Sequence, residues 1–100
     1  MEGSASEAGA YSPILVEAPG ITGTFVSTRS VTVGTGVWES EASPTFTYQW
    51  YLDDVAIPSA TANAYVIQVG DIGKSLSVTV TATNTTGAND YTSSPTVVAS

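Results

Sequence analysis

"FTYQWYLDDVAIPSAT", residues 46–61, decides how the chain folds. Phe46, Tyr48, Trp50 and Leu52 recur at every second position, with Thr47, Gln49 and Tyr51 between them. Successive side chains of an extended strand point to opposite faces, so this spacing puts the large apolar groups on one face. A helix would scatter them around its circumference. The run predicts a strand with a buried inner face and Trp50 at its centre. Asp53-Asp54 then marks a turn, where Asp is favoured because its carboxylate bonds nearby backbone groups. "VAI" follows as a short strand ended by Pro58, which lacks an N–H for the ladder.

The same period extends in both directions. "SVTVGTG" puts Val31 and Val33 on one face, and "NAYVIQV" aligns Tyr65, Ile67 and Val69. "SLSVTVTATN" alternates most regularly, with Leu76, Val78, Val80 and Ala82 inward and Ser77, Thr79, Thr81 and Thr83 on the wet side. "YSPILVE" and "ITGTFVS" suit edge strands, limited by Pro13 and Pro19. After "TTGAND", in which Gly87 is expected to supply a positive φ, comes a last strand, "YTSSPTVVA". About seven or eight short strands, with turns roughly every 8–12 residues and no capped helical pattern, predict an all-β two-sheet antiparallel sandwich.

Composition narrows the function. One hundred residues are one domain's worth, enough to bury a core without staples. The net charge is −7, and Arg29 and Lys74 are the only basic side chains. Such a surface cannot neutralise phosphates, so nucleic-acid binding and adsorption to anionic membranes are not expected. No Cys is present, so there is no disulfide, and no His, so neither a catalytic triad nor the usual zinc site can be assembled. "MEGSASEAGA" has neither the basic nor the apolar region of a secretory signal, and the longest apolar clusters are far short of a membrane-spanning helix. Release from a cell would then need another route, such as lysis.

Residues 1–12 are small and polar without periodicity, the composition of an arm or linker. The division expected is an extended N-terminal arm over 1–18 and a domain over 19–100.

From Gly36 to Gly87 the motifs resemble a known family. Gly36-Val37-Trp38, Tyr48-Gln49-Trp50, Ile57-Pro58-Ser59-Ala60-Thr61, Asp71-Ile72-Gly73-Lys74-Ser75-Leu76 and Ala82-Thr83-Asn84-Thr85-Thr86-Gly87 occur in that order. They are similar to the cysteine-less immunoglobulin-like domain of tailed-phage virion proteins and bacterial surface repeats. The resemblance spans roughly residues 19–98 and rests on the order of motifs. It departs at Ser59, where the family commonly has Gly, and in the absence of the usual tyrosine-corner Tyr. It implies an immunoglobulin-like sandwich in which Val31 or Val33, facing Val78, fills the place of the inter-sheet disulfide beside Trp50. It also implies that Val31, Val33, Tyr48, Trp50, Ile57, Tyr65, Asp71, Gly73, Leu76, Val78 and Gly87 are fold determinants.

Each chemical reading has a plainer competitor. Glu39 and Glu41 have the spacing of a carboxylate pair, but with no cleft or perturbing neighbour a solvated loop is the simpler reading. Asp53-Asp54 carries hard-cation oxygens, yet no EF-hand spacing accompanies the pair, so a turn is the simpler reading. Asn84-Thr85-Thr86 fits a glycosylation sequon, but without a secretory signal a turn is the simpler reading. Neither catalytic residues, a metal site nor a cofactor is expected.

Trp38, Tyr51 and Tyr91 are the aromatics expected near the surface, as stacking platforms for sugars or anchors for a partner. For Trp38, closing one end of the sandwich is the simpler reading. On the arm, Glu2, Glu7 and Tyr11 are candidate partner contacts. Taken with the arm, the resemblance implies a non-enzymatic phage structural or accessory protein on the virion surface, a capsid or tail decoration, whose partners are capsid or tail proteins. The alternatives are a weak carbohydrate-binding adhesion module for the host surface, and a spacer repeat on a bacterial cell surface.

Overall fold

The computed structural model describes residues 11–40 and 42–99. Among these the chain is all-β, with a single 3₁₀ turn at Val69–Asp71 and no α-helix. The strands are β1 (Ile14–Glu17), β2 (Ile21–Thr22), β3 (Ser30–Val33), β4 (Val37–Glu39), β5 (Thr45–Leu52), β6 (Val55–Ala56), β7 (Ala64–Val66), β8 (Ser75–Thr83), β9 (Ala88–Thr92) and β10 (Thr96–Val97).

The larger sheet is built on β5 and β8. Their antiparallel register sets Phe46 opposite Ala82, Tyr48 opposite Val80, Trp50 opposite Val78 and Leu52 opposite Leu76. Directly opposed residues share a face, so both apolar sets fall on one side. β6 lies beyond β5, and β9 and β10 lie in succession along the far edge of β8. The second sheet orders β2-β3-β7, and β1 and β4 pair separately as a two-stranded ribbon. A parallel bridge, Val26 with Ala99, ties the segment after β2 to the end of the chain.

Between the layers lies one core of Val31, Val33, Trp50, Ile67, Leu76, Val78, Val80 and Val98. Sandwich-like packing is what such one-faced sheets require, since each must cover its apolar face with another. Val31, Val33 and Val78 all belong to this cluster, so apolar volume alone fills the centre beside Trp50. The indole N–H of Trp50 donates to the Ala62 carbonyl at 2.9 Å. A buried polar tip is thereby satisfied at no cost to packing. Trp50 is fully buried and is a core residue.

Several local expectations are revised. Gly87 is absent from the positive-φ positions; what it provides is room, because a Cβ there would stand 2.5 Å from the Ser12 hydroxyl oxygen. Val69 does not extend the inward row of Tyr65 and Ile67, because β7 ends at Val66 and the 3₁₀ turn rotates Val69 outward, where it is exposed. The outward face of β8 is drier than expected: Ser77 is buried and Thr79, Thr81 and Thr83 are half-buried, because strands flank β8 on both sides. The last strand is two strands, β9 and β10, split at 93–95.

Asp53 and Asp54 both have positive φ, the backbone of a type I′ hairpin turn whose twist matches its flanking strands. Asp53 Oδ1 also accepts from the Ser75 N–H at 2.9 Å. Ser59 has φ 66°, a left-handed conformation that favours glycine. The position where Gly was expected from the resemblance is therefore one whose backbone suits Gly.

Candidate functional site

The two ends of the molecule differ. At the lower end the 26–29 turn, Ile67, Gly73, Lys74 and Val98 are knit by backbone bonds, including Thr28 N–H to Ile67 O and Gly73 N–H to Val98 O. At the upper end stand the β1–β4 ribbon and the turn from Asn84 to Gly87, joined where Asn84 Nδ2 donates to Ser40 Oγ at 3.0 Å.

The upper end fastens the chain that leads into β1. Asn84 Nδ2 also donates to the Tyr11 carbonyl at 2.9 Å, and Asn89 Nδ2 donates to the Pro13 carbonyl at 2.5 Å. Ser12 lies against Gly87, and Pro13 is buried. Asn84 is fully engaged: its Oδ1 accepts from the N–H groups of Thr86 (2.9 Å) and Gly87 (3.1 Å). Attaching a glycan to Asn84 Nδ2 would disturb both of its donor contacts, so the turn reading of Asn84-Thr85-Thr86 has a direct structural role. Residues 14–17, within the expected arm of 1–18, form a strand paired with β4, with Ile14 opposite Glu39, Leu15 opposite Trp38 and Glu17 opposite Val37.

Among the described residues the candidate partner contacts do not form one surface. Glu2 and Glu7 lie outside the described residues, as does Glu41 of the carboxylate pair. Tyr11 is half-buried at the upper end. Trp38 is half-buried opposite Leu15 on the inward face of the ribbon, and its indole N–H donates to the Thr35 carbonyl at 2.6 Å. Tyr51 lies opposite Ser77 on the outward face of the larger sheet. Tyr91 lies opposite Val80, which puts it on the inward face of edge strand β9 rather than on the outer surface.

Shallow grooves accompany these features. One, of about 380 Å³, runs along β6 between Leu52, Val55, Ile57, Pro58 and Lys74, and another, of about 280 Å³, opens at the upper end between Ala42, Thr45, Thr83 and Asn84. Among the described residues no three His, Cys, Asp or Glu side chains converge as a metal site.

Two polar devices escaped sequence reasoning. Gln49 Nε2 lies within hydrogen-bonding distance of the carbonyls of Trp50 (2.9 Å), Ile57 (2.9 Å) and Ala60 (3.3 Å), gathering the turn after β6 onto β5. Asp71, buried, accepts on Oδ2 from the Tyr65 hydroxyl at 2.6 Å and from the Gln68 N–H at 2.9 Å. Burial first, and then this bond and the charge of Asp71, push the Tyr65 pKa up to about 12. The spacing of Tyr65 to Asp71 carries a signal only when read as a side-chain cap on the 3₁₀ turn. These groups hold the scaffold.

No family model, curated protein or solved structure matches the chain.

Proposed function

We propose that the chain is a non-enzymatic structural or accessory protein of a phage virion, a capsid or tail decoration that attaches by its N-terminal end and displays an immunoglobulin-like domain. The observation that carries this reading is the fastening of Tyr11, Ser12 and Pro13 to Asn84, Gly87 and Asn89. These contacts give the preceding arm a fixed origin on the upper end, so a pull on the arm is transmitted to the β-framework. The motif order supports the immunoglobulin-like and virion parts of the reading as a resemblance. A carbohydrate-binding role is less favoured, because Trp38, Tyr51 and Tyr91 are half-buried on separate surfaces instead of forming a platform.

The test is an add-back assay on purified particles lacking the chain. The full chain is expected to co-sediment at a fixed stoichiometry, and a chain starting at Tyr11 to fold but bind more weakly. A full chain left in the supernatant overturns the virion reading. Equal binding of the shortened chain moves attachment onto the sandwich itself.

A further inference from the structure

We propose that the outward face of the β1–β4 ribbon is a docking surface for a partner protein that presents basic side chains around an apolar patch. This deepens the attachment reading and rests on it for the partner's setting, but its evidence is separate.

Across the sheets the chain places mainly hydroxyl side chains at outward positions: Thr22 and Thr32 on β2 and β3, and Thr45, Thr47, Thr79, Thr81 and Thr92 on the larger sheet. The ribbon breaks that habit. Ile14, Val16 and Val37 are 48%, 64% and 48% exposed, while Leu15 and Trp38 supply its inward face. The register shifts between Leu15 and Glu17, and a bulge of this kind turns an extra side chain, here Val16, away from the ladder. Val55, Val66, Val69, Ile72 and Val97 are exposed elsewhere, but they lie on β6, β7, the 3₁₀ turn with its C-cap, and β10. The ribbon is where exposed aliphatic groups are paired across two strands with carboxylates.

The aliphatic groups alternate with carboxylates. Ile14 faces Glu39 and Glu17 faces Val37, so acid and apolar side chains sit on opposite diagonals of one small surface. Arg29 and Lys74, the two basic residues of the chain, belong to the opposite, lower end, where the Arg29 carbonyl accepts from Ile67 N–H and the Lys74 carbonyl from Val98 N–H. This charge pattern selects the occupant. A second copy would bring Glu17 and Glu39 against the same carboxylates with no cation to meet them. Nucleic acid and anionic lipid are repelled, and a sugar would meet no outward-facing aromatic. A protein surface carrying Lys or Arg around aliphatic groups satisfies both features.

The ribbon is also held in shape before docking. Gly36 has φ 77°, and a Cβ there would stand 2.7 Å from the Glu17 carbonyl oxygen and 2.9 Å from Pro19. That close crossing locks β4 against the end of β1, reducing the ordering cost of binding.

The probe is a short peptide of alternating Lys and Leu, titrated into the full chain and followed by amide NMR. Shifts are expected to centre on Ile14–Glu17 and Val37–Glu39, with binding weakened by added salt. Two double variants separate the contributions: Ile14→Thr with Val37→Thr, and Glu17→Gln with Glu39→Gln. Thr keeps strand propensity and is what the chain uses at its other outward positions. Each pair is expected to melt with the parent and to bind roughly tenfold more weakly, the size that losing exposed-to-buried apolar transfer or charge pairing implies. Shifts centred elsewhere, or parental affinity in both variants, overturn the inference.

Particle sedimentation distinguishes the two readings. Peptide binding through the ribbon by a chain that never travels with particles overturns the virion reading and leaves this face intact. Undiminished particle binding by both variants overturns the face and leaves the virion reading intact.

Discussion

The hydroxyl of Tyr65 donates to Oδ2 of Asp71 at 2.6 Å, and the same ring stacks on Trp50 with centroids 5.9 Å apart. One side chain thus joins the centre of the core to the turn that precedes β8. Asp71→Ala is expected to cost about 2 kcal/mol, since it leaves the Tyr65 hydroxyl and the Gln68 N–H without their buried acceptor. Tyr65→Phe is expected to cost about 1 kcal/mol. The two losses should not add in a double-mutant cycle followed by urea unfolding.

The same bond sets a pH limit. The Tyr65 pKa is raised to about 12, above the ordinary value of 10.0, so the folded state holds this proton more tightly than the unfolded chain. Stabilisation is fully present below the unfolded value and is lost as pH rises through 10.0 toward 12. Unfolding curves between pH 9 and 12, roughly that window, should show a loss of stability that Tyr65→Phe lacks. Parallel curves for the two proteins count against the shared proton.

Trp50→Ala is expected to cost about 3–5 kcal/mol, the range for deleting a large core aromatic. Trp50→Phe keeps most of the apolar volume but leaves the Ala62 carbonyl without its donor, so a smaller loss, about 1–3 kcal/mol, is expected. Coincident urea midpoints for parent and Trp50→Ala would sink the core assignment.

Gln49→Ala is expected to destabilise by about 1–2 kcal/mol, because the side chain serves the turn carbonyls of Ile57 and Ala60. Amide exchange should quicken locally, at Ile57, whose N–H donates to the Trp50 carbonyl, and at Ala60, whose N–H donates to the Ile57 carbonyl. Unchanged exchange there would remove Gln49 from this role.

Ser59→Gly is expected to stabilise by roughly 0.5–1 kcal/mol, the strain of a non-glycine residue in the left-handed region less the added freedom of the unfolded chain. Ser59→Ala, which keeps the Cβ, should bring no gain. Thermal midpoints of the three proteins decide it.

The central sheet was legible because period two is sustained over β5 and β8, and both strands pair along their whole length. Asp53-Asp54 was legible as a turn because its chemistry is local. Pairings set by distant chain were not: "YSPILVE" reads as an edge strand, but nothing near Ile14 names Trp38 and Glu39 as its neighbours, so the division at 18 groups it with the arm. Gly87 was singled out for the wrong reason, since its requirement comes from Ser12, far away in sequence. Tyr65 and Asp71 were both marked as fold determinants, but their bond depends on how the 3₁₀ turn folds back. The positive φ of Thr28 had no sequence signal, since a β-branched residue rarely adopts it. For the site, Trp38 and Tyr91 were marked as aromatic, but their orientation follows from register alone.

Electron cryo-microscopy of particles carrying the chain tests the central claim, attachment by the upper end. The account predicts sandwich density with the β1–β4 ribbon and Tyr11 against the particle and the Asp53-Asp54 turn pointing away. Density with the Asp53-Asp54 turn or the outward Thr79–Thr92 face against the particle, or particles that carry no such density, would contradict it.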